Sequence, residues 1–246
     1  MKLTTLIENE YETIEQQTAE KAVRPNTKND SIIYAFKSWL KLLHTKVYSR
    51  NPFFDYMHAE DKLKEFNPDY SYNISYTPED ISSFCFYLED FCTKENMEYS
   101  GMFISALINL HYRKHTFKGD YFLHVDPLPT TLDYLGKFTN GAAIYIKGNT
   151  GRFVGYEIKS GKITVEGNTL GSLGYRMTGG IIHILGNAES EVGREMKDGK
   201  IIVEKNTGKF TGERMQGGAV HINGTIKRIS ENFEKGMIYN KGERIR

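Results

Sequence analysis

The chain has 246 residues, with 32 Lys and Arg against 31 Asp and Glu, a formal net charge of +1. So even a balance sets up no global field for nucleic acid or an anionic membrane, and no apolar run approaches the roughly 18 residues of a membrane span. A content of 39% hydrophobic and 26% charged residues is that of an ordinary globular protein of one or two domains.

Residues 1–30 are dense in charge and poor in apolar anchors, so they read as a flexible or marginally helical segment. They are too polar for a secretory signal. Ile32, Phe36, Trp39, Leu43 and Val47 then recur at helical spacing. Ile81, Phe84, Cys85, Leu88 and Cys92 do the same. This second helix starts with Thr77 as N-cap, Pro78 in the first turn, and Glu79 and Asp80 at the positive end of the dipole. On one helix Cys85 and Cys92 are about 10.5 Å apart along the axis, too far for a disulfide. Reduced thiols and no signal predict a cytoplasmic protein. A third helix is expected over 101–113, with Phe103, Ala106, Leu107 and Leu110 on one face. Residues 67–76 read as a loop, 121–125 as a short strand and 126–129 as a linker. An α-helical domain over 31–130 therefore precedes a second domain over 131–246.

That second domain is periodic. Gly136, Gly155, Gly174, Gly193 and Gly212 recur at a constant 19-residue period. Eight residues after these marker glycines come Ile144, Ile163, Ile182, Ile201 and Val220, and ten after them Ile146, Val165, Ile184, Val203 and Ile222. Ile158, Met177, Met196 and Met215 follow at three, Ala142, Gly161, Gly180, Gly199 and Gly218 at six, and Asn149, Asn168, Asn187 and Asn206 at thirteen. Apolar pairs such as Ile163 and Val165 flank polar Thr164, so each unit carries a strand with its apolar side inward. Equivalent strands run parallel, about 4.8 Å apart, and stacking buries a continuous core that one coil cannot close alone. The Asn column predicts stacked amide hydrogen bonds. Glu157, Arg176, Glu195 and Arg214, two after the markers, alternate in sign and predict a salt-bridge ladder. Glu231 and Glu234 break the pattern in the last coil, which reads as a polar cap with the basic tail 241–246.

The unit over 171–187, with Gly171, Gly174, Met177, Gly180, Ile182, Ile184, Gly186 and Asn187, resembles the GXGXG repeat. That module forms the C-terminal domain of the glutamate synthase large subunit and the C subunit of formylmethanofuran dehydrogenase. The resemblance covers about 135–230. It implies a right-handed, single-stranded parallel β-helix that holds catalytic domains in place and carries no catalytic residues of its own. The N-terminal half resembles neither family, so neither activity is transferred. The expected fold class is α+β multidomain, an α-helical N-terminal region followed by a right-handed single-stranded parallel β-helix of 19-residue coils.

Other candidate chemistry is weak. The recurring glycines open no helix, as a phosphate-cradling loop requires. His183 and His221 share an outward column but are two strands apart, with Ile202 between. His111 and His115 have the i, i+4 spacing of some zinc sites, but at an expected helix end they serve as dipole-complementing groups. A polysaccharide-processing site needs paired carboxylates and aromatic platforms; Tyr156 and Tyr175 form one column, but Asp198 has no second acid. The residues therefore predict no catalytic, cofactor-binding or metal site and no small-molecule ligand. They predict a scaffold or assembly protein that engages a protein partner or a second copy of itself. Two alternatives stand beside it: an accessory subunit of a redox or amidotransfer complex, and an enzyme with its site between the halves. The interaction residues expected are Ile181, His183, Ile202, Ala219, His221 and Ile238, on the outer face of the main sheet. Cover by helices of the same chain is favoured over a second copy, because the linker at 126–129 is short.

Overall fold

The computed structural model describes residues 27–44, 56–57, 59–61, 76–90, 93–94, 96–115 and 119–246; of 27–31, 41–44 and 90 it describes the backbone only. Residues 1–26, Val47, Cys92 and most of the expected 67–76 loop, together with the Leu43 side chain, lie outside this set. Among the described residues three long helices come first, α1 (Thr27–His44), α2 (Pro78–Tyr87) and α3 (Met97–Lys114), with further helical residues at 56–57 and 59–61. α2 starts where Thr77 and Asp80 form a capping box. The Thr77 hydroxyl accepts the Asp80 N–H at 3.2 Å, and the Asp80 carboxylate accepts the Thr77 N–H at 2.8 Å. It ends at Tyr87 in a tighter turn, Leu88–Asp90, so the expected continuous helix to Cys92 is cut short. Phe36, Trp39, Phe84 and Phe103 bind the helices together, with ring centroids 5.1 Å apart for Phe36 and Phe103 and 5.3 Å for Phe36 and Phe84. α3 is buried on every side over 100–111, not on one face as expected. It has the coils on one flank and helices on another.

The C-terminal part is a β-solenoid of about six turns. Its main sheet has the order β1 (Tyr121–His124), β2 (Asn140–Lys147), β3 (Ser160–Val165), β5 (Thr178–Ile184), β7 (Asp198–Val203), β8 (Gln216–Ile222), β9 (Lys235–Asn240) and β10 (Glu243–Arg244). Between them β4 (Thr169–Gly171) and β6 (Ala188–Ser190) form a second, smaller sheet. Ala143, Lys162, Ile181, Lys200 and Ala219 pair in succession, each one full period from the next. Ile158, Met177, Met196 and Met215 are fully buried inside. The glycine six after the marker in the coils of β3, β5, β7 and β8 makes that possible. At Gly199 (φ +99°) an added Cβ lies 2.5 Å from Met177 Cε and 2.8 Å from the Gly180 carbonyl oxygen, so a methionine below and a backbone beside it leave room only for hydrogen. The Asn column forms its ladder: Asn168 Nδ2 donates to Asn149 Oδ1 at 3.2 Å and Asn187 Nδ2 to Asn168 Oδ1 at 2.9 Å. Each Oδ1 also accepts a backbone N–H from the next coil, up to Thr225 N on Asn206 at 2.9 Å.

Both ends depart from expectation. The strand β1 is the first rung of the main sheet, with Tyr121 paired to Ile144, so residues 126–129 are a corner inside the solenoid and not a linker into it. At the other end the coil shortens by one. Ala219 pairs with Met237 and Val220 with Ile238, one position short of the full period. Ile238 is therefore fully buried, and its expected outward position is corrected: Met237 and Tyr239 point outward in its place. The tail folds back as antiparallel β10, and Ile245 N–H donates to the Ile238 carbonyl at 2.8 Å, which covers the last sheet edge.

The helices close the N-terminal end of the stack. α3 meets the corner at Asp133 so closely that a Cβ on Gly101 lies 1.8 Å from the Asp133 carbonyl oxygen. Ser105 donates to the Tyr134 carbonyl at 2.9 Å and Asn109 to the Lys137 carbonyl at 2.8 Å. Ser82 of α2 donates to the Phe122 carbonyl of β1. His111 Nδ1 is 2.7 Å from the Tyr121 hydroxyl, and its ring stacks on His115 at 4.1 Å. His111 is 4% exposed, and burial, with the neighbouring His115, pushes its pKa down to about 4; Glu79 and Asp80 oppose this weakly. In the unfolded chain the same group titrates near 6.5. The unfolded state thus binds the extra proton first. The stability is whole above pH 6.5 and is lost as pH falls towards 4, about 3 kcal/mol in all at about 1.4 kcal/mol per pH unit. Thermal melts of wild type and His111→Gln between pH 7 and 4 test this: the wild type should lose about 3 kcal/mol more than the variant, and equal losses contradict it.

Candidate interaction surface

The outer face of the main sheet is built from the strand residues that alternate with the buried isoleucines. Its first row, seven after each marker, is Ala143, Lys162, Ile181, Lys200 and Ala219, continued by Met237. Its middle row is Phe122, Tyr145, Thr164, His183, Ile202, His221 and Tyr239. A third row, eleven after the markers, holds Lys147, Glu166, Leu185, Glu204 and Asn223. The backbone of this row continues the parallel ladder, Leu185 N–H to the Val165 carbonyl at 2.9 Å and Glu204 N–H to that of Ile184 at 2.9 Å.

Five of the six expected interaction residues, Ile181, His183, Ile202, Ala219 and His221, lie on this face; Ile238 does not. Ile181 is 39% exposed at the centre, and Ile202 and Ala219 are half-buried. His183 is only 3% exposed, because its Nε2 is 2.6 Å from Glu204 Oε1 across the strands. Glu204 Oε2 accepts from Asn223 Nδ2 at 2.6 Å, so the histidine is locked in place and not presented. His221 lies flat on Tyr239, 4.5 Å away with the planes 5° apart. Burial, and then the charge of Lys200, holds its pKa below the ordinary value and favours the neutral ring. Phe122 and Tyr145 stack at 5.1 Å at the other end. The described helices pack on β1 and the first corner, and they leave Ile181 open. Glu204 was missed as a partner of His183, although a carboxylate two columns over on the next strand was readable from the 19-residue register.

Two other surfaces flank this face. The charge ladder is present: Arg176 Nε is 2.9 Å from Glu195, Arg214 2.9 Å from Glu195, and Arg176 3.8 Å from Glu157. Burial raises the Glu195 pKa, but the Arg176 bond and the nearby arginine charges bring it below the ordinary value. All four ladder residues have φ between +48° and +55°, a left-handed corner that no glycine announces in the sequence. Beside them runs a groove of about 420 Å³ lined by Glu157, Lys159, Arg176, Thr178, Glu195, Lys197 and Gln216. Nearer the helices Tyr134, Phe153, Tyr156 and Tyr175 form a chain of ring contacts, Tyr156 and Tyr175 at 5.4 Å. Lys137 is fully buried there, its ammonium 4.0 Å from the Tyr156 centroid. Sequence reasoning passed over Lys137, whose first-coil position beside the helical end was the available signal. Among the described residues no three His, Cys, Asp or Glu side chains come together to hold a metal ion, and no helix is long and apolar enough to cross a membrane.

The fold and these surfaces define a β-solenoid protein closed at its first coil by helices. Compared with known proteins, the chain matches no family model and no curated sequence. Reversing Arg176 to Glu sets three acids in consecutive coils. The side chain is 47% exposed, so solvent screening limits the loss to about 1 kcal/mol. Melts of Arg176→Glu in low and high salt should converge on the wild type as salt rises; a loss that salt leaves unchanged contradicts the ladder.

Proposed function

We propose that the chain is a non-catalytic scaffold or assembly protein, and that its solenoid is a right-handed parallel β-helix of the GXGXG type whose outer sheet face docks a protein. The observation that carries this reading is Ile181, a large apolar side chain exposed on the central strand of a seven-strand parallel face, between Lys162 and Lys200, with Ile202 diagonal to it on the next strand and Ala219 beyond Lys200. A sheet face left to water is mainly polar, and an apolar stripe on one marks a contact. The GXGXG assignment rests on chemistry within the coils. Gly174 packs against Ile201, Gly199 against Met177, and Asn187 stands in the amide ladder.

An accessory subunit in a redox or amidotransfer complex is the second reading. It is favoured by the same coil motif over 171–187, whose relatives hold catalytic domains in place. Affinity purification of the tagged full chain from its native cells, followed by mass spectrometry, separates the two. The scaffold reading predicts a stoichiometric protein that is lost in an Ile181→Lys/Ile202→Lys variant with unchanged helices and coils. Recovery of a flavin, iron–sulfur or tungsten enzyme selects the accessory subunit. The same proteins captured by wild type and variant refute docking on this face.

A further inference from the structure

We infer that the partner of this face is a second copy of the chain, set coil against coil about a two-fold axis parallel to the solenoid. The inference rests on the docking reading above and names its occupant. It comes from the signs of the outward rows. In the coil of β3 the first and third rows hold Lys162 and Glu166; in that of β5, Ile181 and Leu185; in that of β7, Lys200 and Glu204. Among the described residues Lys162, Lys200 and Glu166 have no ion-pair partner within the chain, Lys162 lying only over the Tyr145 ring at 5.6 Å. Each of these three central coils thus carries cation and anion, or two apolar groups, at opposite ends of one outward strand, while the β2 and β8 coils pair Ala143 with Lys147 and Ala219 with Asn223.

With their strands aligned, two copies can meet face to face about a two-fold axis along the solenoid or along the strands. An axis along the solenoid keeps each coil opposite its own equivalent and exchanges the first and third rows. Lys162 then meets the second copy's Glu166, Lys200 the second copy's Glu204, and Ile181 the second copy's Leu185. The middle row meets itself, Ile202 on Ile202. An axis along the strands, centred on β5, instead exchanges the β3 and β7 coils. Lys162 then meets the second copy's Lys200, and Glu166 its Glu204, all of like sign. Electrostatics therefore favours the first arrangement and opposes the second in that centred register. Three rows over seven strands span about 13 Å by 29 Å, near 400 Å² of flat face per copy. Both copies together then bury about 800 Å², below the roughly 1,200 Å² at which stable specific interfaces begin, so a weak, transient, concentration-dependent dimer is expected.

The experiment is sedimentation of the full chain over a concentration series, with two charge-reversed variants. Lys162→Glu/Lys200→Glu and Glu166→Lys/Glu204→Lys each place like charges across the axis. Each should self-associate at least about tenfold more weakly than the wild type. Mixed in equal amounts, they should regain the mass of a pair, since every reversed cation then faces a reversed anion. Glu204 also holds His183, so melts must show both variants folded. The single changes Lys162→Glu and Glu166→Lys repeat the mixing test without touching Glu204. A wild type that stays monomeric at hundreds of micromolar overturns the inference, as does a mixture of two folded variants that fails to pair. Neither result touches the docking reading, which fails only if Ile181→Lys/Ile202→Lys leaves every captured protein in place.

Discussion

The close approach of one coil to the next governs the rest of this molecule. Parallel strands must lie about 4.8 Å apart to share a ladder of hydrogen bonds. At that distance a column of side chains is a stack of near-identical contacts, and whatever suits one coil must suit all. The methionines at 177, 196 and 215 fill the interior, and the glycines at 199, 218 and 236 give their methyl groups room. Replacing either partner in one coil disturbs the coil above as well. The amides at 149, 168, 187 and 206 satisfy the backbone N–H groups at the corner, where no strand ladder reaches them.

A stack of this kind has two open ends, and the chain solves them differently. The last coil drops a residue, turns Ile238 inward and lays a two-residue antiparallel strand over the edge. The first coil is closed by helices that bury polar groups as well as rings. Tyr56 donates to Glu60 at 2.7 Å, Glu60 pairs with Arg113 at 2.7 Å, and Asn109 links Tyr56 to the Lys137 carbonyl. Such a network is satisfied only in one docking geometry, so it fixes how the helices sit on the coil at the cost of sensitivity to substitution.

What the sequence made legible follows from this division. Columns that repeat at one period announce themselves, so the inward isoleucines, the methionines, the amide ladder and the charge ladder were all readable. A buried column at Thr150, Thr169, Ala188 and Thr207 was overlooked because its residues are chemically mixed, though its spacing is the same. The left-handed corners at Glu157 and Arg176 carry no glycine to mark them. The ends were harder, since each occurs once and has no repeat to check it. A single deleted residue before Ile238 was enough to reverse an inward and an outward position. Tyr121 stands off the period that Ile144 opens, so its place in the sheet was hidden by a longer first coil. On the candidate face the apolar centre was visible, but the His183–Glu204 bond depended on side-chain reach between columns.

The central claim is that identical coil spacing, and not any one coil, specifies the solenoid. Removing residues 162–199, two whole periods, joins Gly161 to Lys200 and brings Glu157 beneath Arg214, so every column and the alternation of charge stay in register. Circular dichroism and thermal unfolding of this shortened chain give the most direct test. Nearest-neighbour stacking predicts strand signal reduced in proportion and a single cooperative transition at lower temperature. Loss of the strand signal, or aggregation without a transition, contradicts the account.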